Sequence, residues 1–430
     1  MAGSTGVAER IVPLLDRMLG SDLPLRIRAW DGSESGRAAA PTLIIRSRRA
    51  VRRILWQPNE LGLARAYVAG EIDIEGDVYD ALDRLALVAR RDQLAGLQVS
   101  SADRRELMKT AVLLGAVGPQ PKPPVEEAAL VGQRHSRGRD RAAISHHYDV
   151  GNDFYRIVLG PSMVYSCAYW ASDAPTYTLM DAQRDKNDLI CRKLGLQPGM
   201  RLLDVGCGWG SLVLHAAQTY GVTALGVTLS REQADYGRKR VAEAGLDGRV
   251  EIRLQDYRDV EDGRFDAIAS VGMAEHVGEE AYRDYCRVLL GLLRPGGRLL
   301  NHQIARRPGP QGSGPSFIQA YVFPDGDLKP IGVTVSFIEE SGFEVRDVES
   351  LREHYARTLR RWVANLEAGW DEAVRLASPG RARVWRIYMA GSALAFEQGR
   401  ISINQILAVK PHNDGRSNVP MTRRAWLGVG

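Results

Sequence analysis

Cysteine is scarce in this chain, and no long apolar run interrupts it. The four cysteines, Cys167, Cys191, Cys207 and Cys286, form no Cys-x-x-Cys pair, which argues against both a zinc site and a disulfide framework. No stretch approaches the roughly 20 consecutive apolar residues of a membrane-spanning helix. The first ten residues also lack the charged-then-apolar order of a signal peptide. We therefore expect a soluble cytoplasmic protein without a metal site, whose membrane contact, if any, is peripheral and on the inner face.

Basic residues are in modest excess. The chain has 57 Lys and Arg against 52 Asp and Glu, a net charge of +5, which suits an anionic surface of lipid headgroups or nucleic acid. Basic runs lie at residues 46–56 and 134–141. A solvated helix face explains the first run most simply, and phospholipid-headgroup contact is the sharper hypothesis. Nucleic acid is disfavoured, because no Asn-Pro-Pro-Tyr motif occurs and the basic runs lack interleaved aromatic residues.

The proline-rich stretch at residues 118–124 indicates a stiff linker. It divides the chain into an N-terminal α+β accessory domain (1–117), a Pro-rich and basic linker (118–142) and a catalytic domain (143–430). From residue 200 onward, strand and helix patterns alternate. The sequence therefore predicts an α/β fold with a doubly wound, mainly parallel sheet. The predicted strands are 201–206, 222–227, 249–254, 265–271, 297–303 and 401–410, with a turn at 294–297 and helices beginning near 211, 230 and 279.

A glycine-rich turn follows the first of these strands. Asp204 precedes Gly206, Gly208 and Gly210, and a helix pattern begins at Ser211. Glycine permits positive φ and close approach of a ligand to the backbone, and the helix N-terminus favours an anionic group. A dinucleotide site requires Gly-x-Gly-x-x-Gly and an acidic residue about 20 residues further on. The next strand ends without an acid, so the pattern favours S-adenosyl-L-methionine (SAM) as the ligand.

Several peptides outside this framework are rich in reactive or aromatic residues, and they carry a family resemblance. Together with the glycine turn and Tyr355, they closely resemble the cyclopropane-fatty-acyl-phospholipid synthase family, which includes the mycolic acid cyclopropane synthases and methyltransferases. The resemblance implies a class I SAM-methyltransferase fold from about residue 143 onward. The peptides that carry it are residues 146–155, 165–170, 228–233, 255–259, 270–278 and 302–304.

The resemblance also implies the residues of the two sites. A bicarbonate ion would accept the proton released during ring closure, with Cys167 acting through its backbone, Glu275 as an acceptor, and His302 and Tyr355 as donors beside Ile304. Asp256 would bind the adenine amino group, and Thr228 and Gln233 would replace a ribose-binding acid. The full set implied for SAM is Tyr165, Ser166, Asp204, Gly206, Gly208, Thr228, Leu229, Gln233, Gln255, Asp256 and Tyr257.

The implied reaction is cyclopropanation of cis double bonds in unsaturated acyl chains of membrane phospholipids. A carbocation formed from the alkene needs a dry, aromatic slot, for which Tyr148, Tyr165, Tyr169 and Trp170 are the sequence candidates. C-methylation or methylenation of the same double bond is the alternative. Retention of Gly272, His276 and His302 favours ring formation, although Ala274 and Asn301 depart from the pattern of many relatives. A homodimer is a further expectation, and a non-catalytic lipid-binding protein is the least favoured hypothesis.

Overall fold

We describe a computed structural model of the chain, covering residues 5–19, 22–95, 101–128, 132, 134–140, 150–309 and 316–427. The strands in chain order are β1 Arg26–Arg28, β2 Glu34–Gly36, β3 Thr42–Ile45, β4 Ile72–Glu75, β5 Arg201–Val205, β6 Thr223–Thr228, β7 Val250–Leu254, β8 Phe265–Val271, β9 Leu293–Arg306, β10 Glu344–Ser350 and β11 Ile401–Val409.

The helices of the described residues are numbered in the same way. They are α1 Val7–Leu19, α2 Arg48–Trp56, α3 Glu60–Val68, α4 Val78–Ala95, α5 Ser101–Leu113, α6 Asn152–Leu159, α7 Leu179–Leu194, α8 Ser211–Tyr220, α9 Arg231–Glu243, α10 Glu279–Leu292, α11 Phe317–Tyr321, α12 Ile331–Glu340, α13 Arg352–Ala368, α14 Trp370–Leu376, α15 Pro379–Glu397 and α16 Arg424–Leu427. None of the helices described here combines the length and apolar character that crossing a membrane requires.

The chain forms two compact units. The first comprises Met1–Ala128, Ser313–Val322 and Ser378–Leu394, and the second comprises Ala129–Gly312, Phe323–Ala377 and Ala395–Gly430. The first unit therefore includes two segments that the sequence boundaries had placed in 143–430. Hydrogen bonds tie these segments to the N-terminal part. For example, the Ala128 N–H donates to the Ala320 carbonyl at 2.8 Å, and Arg383 donates to Asp73 at 3.0 Å.

The first unit is an α+β structure with one small sheet in its described residues, in the strand order β2-β1-β3-β4. The alternation of apolar and basic residues at Arg26–Arg28 explains how β1 lies. Ile27 is buried while its two arginine neighbours are half-buried, as period-2 alternation requires. Ile27 packs with apolar residues from several helices, among them Val12, Ala50 and Tyr67.

The second unit contains a seven-stranded sheet in the order β10-β11-β9-β8-β5-β6-β7. Strands β5 to β9 pair in parallel, whereas β11 and β10 add to β9 in antiparallel orientation. The mainly parallel doubly wound sheet is thus confirmed, and β10 is an addition that the sequence patterns did not indicate. The predicted turn at 294–297 lies inside β9, as an irregularity of that strand. Between paired positions β8 advances from Phe265 to Ala267 while β9 advances from Leu293 to Arg298, and Gly296 has a φ of 78°. The Gly296 N–H donates to the Lys410 carbonyl at 2.7 Å, which keeps this segment attached to the sheet.

Apolar side chains cover both faces of the large sheet. On one face, Leu202 of β5 packs with Val213 of α8 and Ile252 of β7. On the other, Leu203 packs with Tyr282 of α10 and other residues. Because alternate residues of β5 serve both cores, the strand is buried throughout its apolar part. From β5 the chain runs to β6 and β7 on one side and then crosses to β8 on the other side of β5. A crevice is therefore expected at the carboxyl end of β5, where the strand order reverses.

Candidate functional site

The predicted glycine turn lies at this crevice. It joins the end of β5 to the N-terminus of α8, and Gly206 and Gly208 have φ values of 80° and 56°. An added Cβ at Gly206 would lie 3.0 Å from Met273, whereas at Gly208 it would meet no atom within 4 Å. Gly208 therefore borders open space, and its backbone is bare toward whatever fills the crevice.

A cavity of about 170 Å³, open to solvent at its mouth, lies above the turn. Its wall brings together most of the residues implied for SAM. Asp256 is the exception: it is absent from the wall, and its carboxylate accepts from the Arg258 guanidinium at 2.8 Å. The implied SAM residues on the wall are Tyr165, Ser166, Asp204, Gly206, Gly208, Thr228, Leu229, Gln233, Gln255 and Tyr257.

Thr228 and Gln233 form a small polar unit at the end of β6. The Thr228 hydroxyl donates to Gln233 Oε1 at 2.7 Å, and the Ser230 hydroxyl caps α9 by accepting from the Gln233 N–H. The side-chain oxygen of Gln233 is occupied by this hydrogen bond. Gln233 can therefore interact with a ligand through its side-chain amide nitrogen, which is a donor. This unit offers the Gln233 amide as a donor at the position where a dinucleotide site would offer a carboxylate as an acceptor.

Asp204 and Lys186 place two buried charges on the cavity wall. Burial raises the pKa of Asp204 to about 7, with the Coulombic effect of Lys186 opposing it. Burial likewise lowers the pKa of Lys186 to about 8. Asp204 Oδ1 has no hydrogen-bond partner, and Lys186 Nζ donates to the Ser166 hydroxyl at 3.2 Å. The sequence analysis missed Lys186, although it lies among apolar positions of an amphipathic helix, α7.

The five residues implied for the bicarbonate site are not on the cavity wall and fall into two groups. In the first, the Ile304 N–H donates to Glu275 Oε1 at 2.8 Å, and His302 pairs with Val271, a wall residue, across β8 and β9. In the second, the Cys167 thiol and the Tyr355 N–H both approach the Leu351 carbonyl. The Leu351 N–H donates to the carbonyl of Ile403, which is opposite Ile304 in the sheet, so the second group lies near the first.

Two polar atoms of the first group have no hydrogen-bond partner among the described residues. They are Glu275 Oε2 and His302 Nε2, and both are buried. A buried polar atom of this kind costs free energy unless a ligand satisfies it. Burial raises the pKa of Glu275 to about 7 and lowers the pKa of His302 well below its usual value. It also raises the pKa of the Cys167 thiol, so Cys167 stays protonated and is a poor nucleophile. A small ligand with both donor and acceptor oxygens fits these groups.

Aromatic rings connect the glycine turn to Tyr355. Ring centroids are 4.8 Å apart for Trp209 and Tyr155, 5.9 Å for Tyr155 and Tyr165, 5.3 Å for Tyr165 and Trp362, and 5.9 Å for Trp362 and Tyr355. Tyr155 lies in the 146–155 peptide and Trp209 in the glycine turn, but neither was among the predicted lining residues. Trp362 lies outside every motif, because a core aromatic residue carries no local signal of function. Trp362 is fully buried on α13.

The other aromatic candidates have different positions. Tyr169 stacks on His354 at 4.9 Å, and the Trp170 indole donates to Thr358 at 3.1 Å. Neither lines the cavity, so their predicted role in a lining has no support from its geometry. Tyr148 lies outside the described residues.

Comparison with known proteins identifies the family of the chain. The family model described as mycolic acid cyclopropane synthetase matches residues 135–406. The chain belongs to the mycolic acid cyclopropane synthetase family. It is thus a SAM-dependent methyltransferase, and the predicted class I methyltransferase fold and family resemblance are confirmed.

Individual relatives differ in how much of the chain they match. A "Probable fatty acid methyltransferase" of Pseudomonas putida is 41% identical over 409 residues, covering 93% of this chain and 95% of its own. The "Cyclopropane-fatty-acyl-phospholipid synthase" of Escherichia coli is 40% identical over 261 residues, covering 61% and 66%. The crystal structure of the mycolic acid cyclopropane synthase CmaA1 complexed with SAH and CTAB is 36% identical, with a TM-score of 0.58. It covers 62% of this chain and 97% of that one. These comparisons support SAM-dependent lipid modification without selecting its product.

Proposed function

We propose that this protein cyclopropanates cis double bonds in the unsaturated acyl chains of membrane phospholipids. The observation that carries the proposal is the pair of unpartnered buried atoms, Glu275 Oε2 and His302 Nε2, next to Tyr355 and the SAM cavity. After methyl transfer to the alkene, ring closure must remove a proton from the transferred methyl group, and these atoms would hold the base that accepts it. The printed name of the Escherichia coli relative supports the same reaction class.

The cavity wall suits SAM by charge and by shape. Asp204 offers an unpartnered carboxylate oxygen for the ammonium of the methionine end, and Lys186 offers a buried cation for its carboxylate. Gly206 and Gly208 leave backbone exposed beside them, while Gln233 and Gln255 lie on the wall for the ribose and base. Asp256 pairs with Arg258 through both carboxylate oxygens, so binding the adenine amino group would require Asp256 to weaken this ion pair.

The neighbouring polar pocket suits bicarbonate. His302 Nε2 and the Tyr355 hydroxyl would donate to the anion, and Glu275 would accept from its protonated oxygen. The Cys167 and Ile304 backbones complete the site. When bound, SAM supplies an electrophilic methyl group and bicarbonate accepts the released proton. The protein orients both, and the aromatic rings from Trp209 to Tyr355 exclude water and stabilise positive charge on the acyl chain.

A second function, C-methylation or methylenation of the same double bond, has one specific argument in its favour. The Pseudomonas putida relative that matches 93% of this chain carries the name fatty acid methyltransferase. Ala274, buried beside Glu275, also leaves more room than a larger side chain at this position. The two functions share the methyl transfer to the alkene and differ in the step that follows. Loss of a proton from the transferred methyl group with carbon–carbon bond formation closes the ring. Methylenation loses a proton after a hydride shift and leaves an exocyclic double bond, and a saturated methyl branch also requires a hydride donor.

Product analysis separates the two functions. The protein is incubated with SAM and vesicles of cis-unsaturated phospholipid, and the released fatty acids are analysed by mass spectrometry and proton NMR. Cyclopropane ring signals support the proposal, whereas a methyl or methylene branch as the main product supports the alternative. A Glu275→Gln variant should lower the ring fraction while retaining SAM binding by calorimetry. Arg238→Gln, a change on the exposed face of α9, serves as the control.

We further propose that the first unit contacts the phospholipid surface through an apolar patch at the ends of α2 and α5. Trp56, Leu113 and Val117 are each about half exposed or more, and the Trp56 indole donates to the Gly118 carbonyl at 3.0 Å. The largely exposed Arg49 belongs to the same helix α2. Apolar side chains beside cationic ones suit the interface of an anionic bilayer.

The same contacts refine the hypothesis about residues 46–56. Arg53 is buried and donates to the Glu71 carboxylate at 2.9 and 3.0 Å, while Arg46 pairs with Asp73 at 2.8 Å. Arg53 therefore stabilises the first unit, and reversing its charge would test folding and not lipid binding. Arg49 is exposed but also lies 3.4 Å from the Glu71 carboxylate, so the exposed Arg48 is the member whose substitution tests the surface. Homodimerisation through the patch is the competing outcome, which sedimentation velocity detects.

A further inference from the structure

Gln405 and Lys193 are buried polar residues that lie directly behind His302. In the antiparallel pairing of β11 with β9, Gln405 is opposite His302. Lys193, on α7, donates to Gln405 Oε1 at 2.8 Å, and Gln405 Nε2 lies 3.1 Å from His302 Nδ1. All three side chains are fully buried.

The lysine fixes which way the Gln405 amide faces. An ammonium group has only donors, so the amide atom that it contacts must be the oxygen. The amide nitrogen therefore faces His302, and this nitrogen has only hydrogens to offer. Carboxylates keep the lysine in place, because Lys193 Nζ also contacts Glu349 and lies 3.9 Å from Asp347.

The orientation of the amide decides the tautomer of the imidazole. His302 Nδ1 accepts a hydrogen bond from Gln405, and burial keeps the ring neutral by lowering its pKa well below the usual value. A neutral imidazole has one N–H, so the proton must be on Nε2. That nitrogen is buried with no hydrogen-bond partner in the part of the chain that the structure describes, and it belongs to the bicarbonate site proposed above.

We propose that Lys193 and Gln405 are positioning residues that hold His302 as the Nε2–H tautomer, with this hydrogen presented as a donor to an anion. In the other tautomer, the Nε2 lone pair would face the anion and repel it. The tautomer follows from contacts within the protein alone. Its use in binding bicarbonate rests on the proposed function.

Nitrogen-15 NMR of histidine-labelled protein tests the tautomer directly, in the absence of SAM and lipid. The His302 signals are assigned by their loss in His302→Gln. In the wild type we expect the proton on Nε2, and a proton on Nδ1 would overturn the inference. Because this measurement uses the unaltered protein, it does not depend on the folding of any variant.

A Gln405→Glu variant then tests whether Gln405 sets the tautomer of His302. The new carboxylate still accepts from Lys193 but can only accept from the imidazole, so we expect the proton to move to Nδ1. Gln218→Glu, an exposed change on α8, controls for the added charge. An unchanged His302 tautomer in Gln405→Glu would overturn the assigned role of Gln405.

Activity separates this inference from the proposed function. Losing one donor to a developing or bound anion typically costs on the order of a hundredfold in rate. We expect a loss of this size in ring formation by Gln405→Glu, with SAM affinity retained and with partial rescue by added bicarbonate. If the tautomer changes as expected and ring formation does not, the positioning role of Lys193 and Gln405 is supported, and the bicarbonate site of the proposed function is wrong.

Discussion

Asp204 offers a test of the cofactor cavity that needs no cofactor. Its carboxyl group is buried with an unpartnered oxygen, and its pKa is raised to about 7. An aspartate in the unfolded chain titrates near 3.9. Between pH 5 and pH 7 the folded protein therefore retains a proton that the unfolded chain has released, and stability falls as the pH rises through this window.

The magnitude follows from linkage. Each proton held by the folded state alone changes the free energy of unfolding by about 1.4 kcal/mol per pH unit. Because its pKa in the folded protein is about 7, Asp204 should lower the free energy of unfolding by roughly 2 kcal/mol as the pH rises from 5 to 7. Lys186, whose pKa is lowered to about 8, is charged in both states over most of this window and adds little to the slope.

The assay compares denaturant unfolding of Asp204→Asn and the wild type at pH 5, 6 and 7, followed by tryptophan fluorescence. Buried histidines change stability in the opposite direction, so the quantity of interest is the difference between the two proteins. This difference should shift by roughly 2 kcal/mol in favour of the variant as the pH rises from 5 to 7. Asp235→Asn, an exposed change on α9, should show no such shift.

Lys186→Met adds a directional check. Lys186 is the charge that lowers the pKa of Asp204 against the effect of burial. Its removal should raise that pKa further and move the loss of stability to higher pH. A pH-independent difference between Asp204→Asn and the wild type would refute the reasoning, because Asp204 would then be ionised in the folded protein.

Three further predictions concern ligands. Gly208→Val should abolish SAM binding in calorimetry, because a branched side chain would enter the open space at a residue with positive φ; an unchanged affinity would contradict the placement of SAM. Tyr355→Phe and His302→Gln should each lower ring formation on the order of a hundredfold, with partial rescue by bicarbonate. Full activity of both in bicarbonate-depleted buffer would mean another proton acceptor. Leu113→Asp combined with Arg48→Glu should weaken co-sedimentation with anionic vesicles more than Lys239→Glu, an exposed change on α9. Equal sedimentation would leave the patch without a lipid role.

Local sequence patterns were sufficient to predict the central strand, turn and helices of the catalytic fold. The strand and glycine turn from Arg201 to Gly210 were predictable because burial, φ and close ligand approach restrict residue types over a short stretch. The same holds for α8 and α9, whose first residues lie where the capping and apolar patterns place them. The domain boundaries were less accessible, since segments 313–322 and 378–394 join the first unit only through contacts distant in sequence.

Buried lysines were not predictable in the same way. Lys186 and Lys193 lie seven residues apart on α7, so they share one face of the helix with apolar neighbours such as Leu189. This spacing on an apolar face is the only local sign that they are buried. Whether each lysine finds a carboxylate there is decided by strands far away in sequence, including β5 for Lys186 and β10 for Lys193.

The two antiparallel strands illustrate the same limit at the proposed bicarbonate site. The sequence predicted that His302 and Glu275 belong to the bicarbonate site, but it could not predict which of their atoms carry protons. The His302 tautomer depends on Gln405, 103 residues away, which the register of β11 against β9 places opposite it. The orientation of Gln405 depends in turn on a lysine from α7, itself held by β10. Strands β10 and β11 therefore do more than extend the sheet, because they decide which nitrogen of His302 carries its proton.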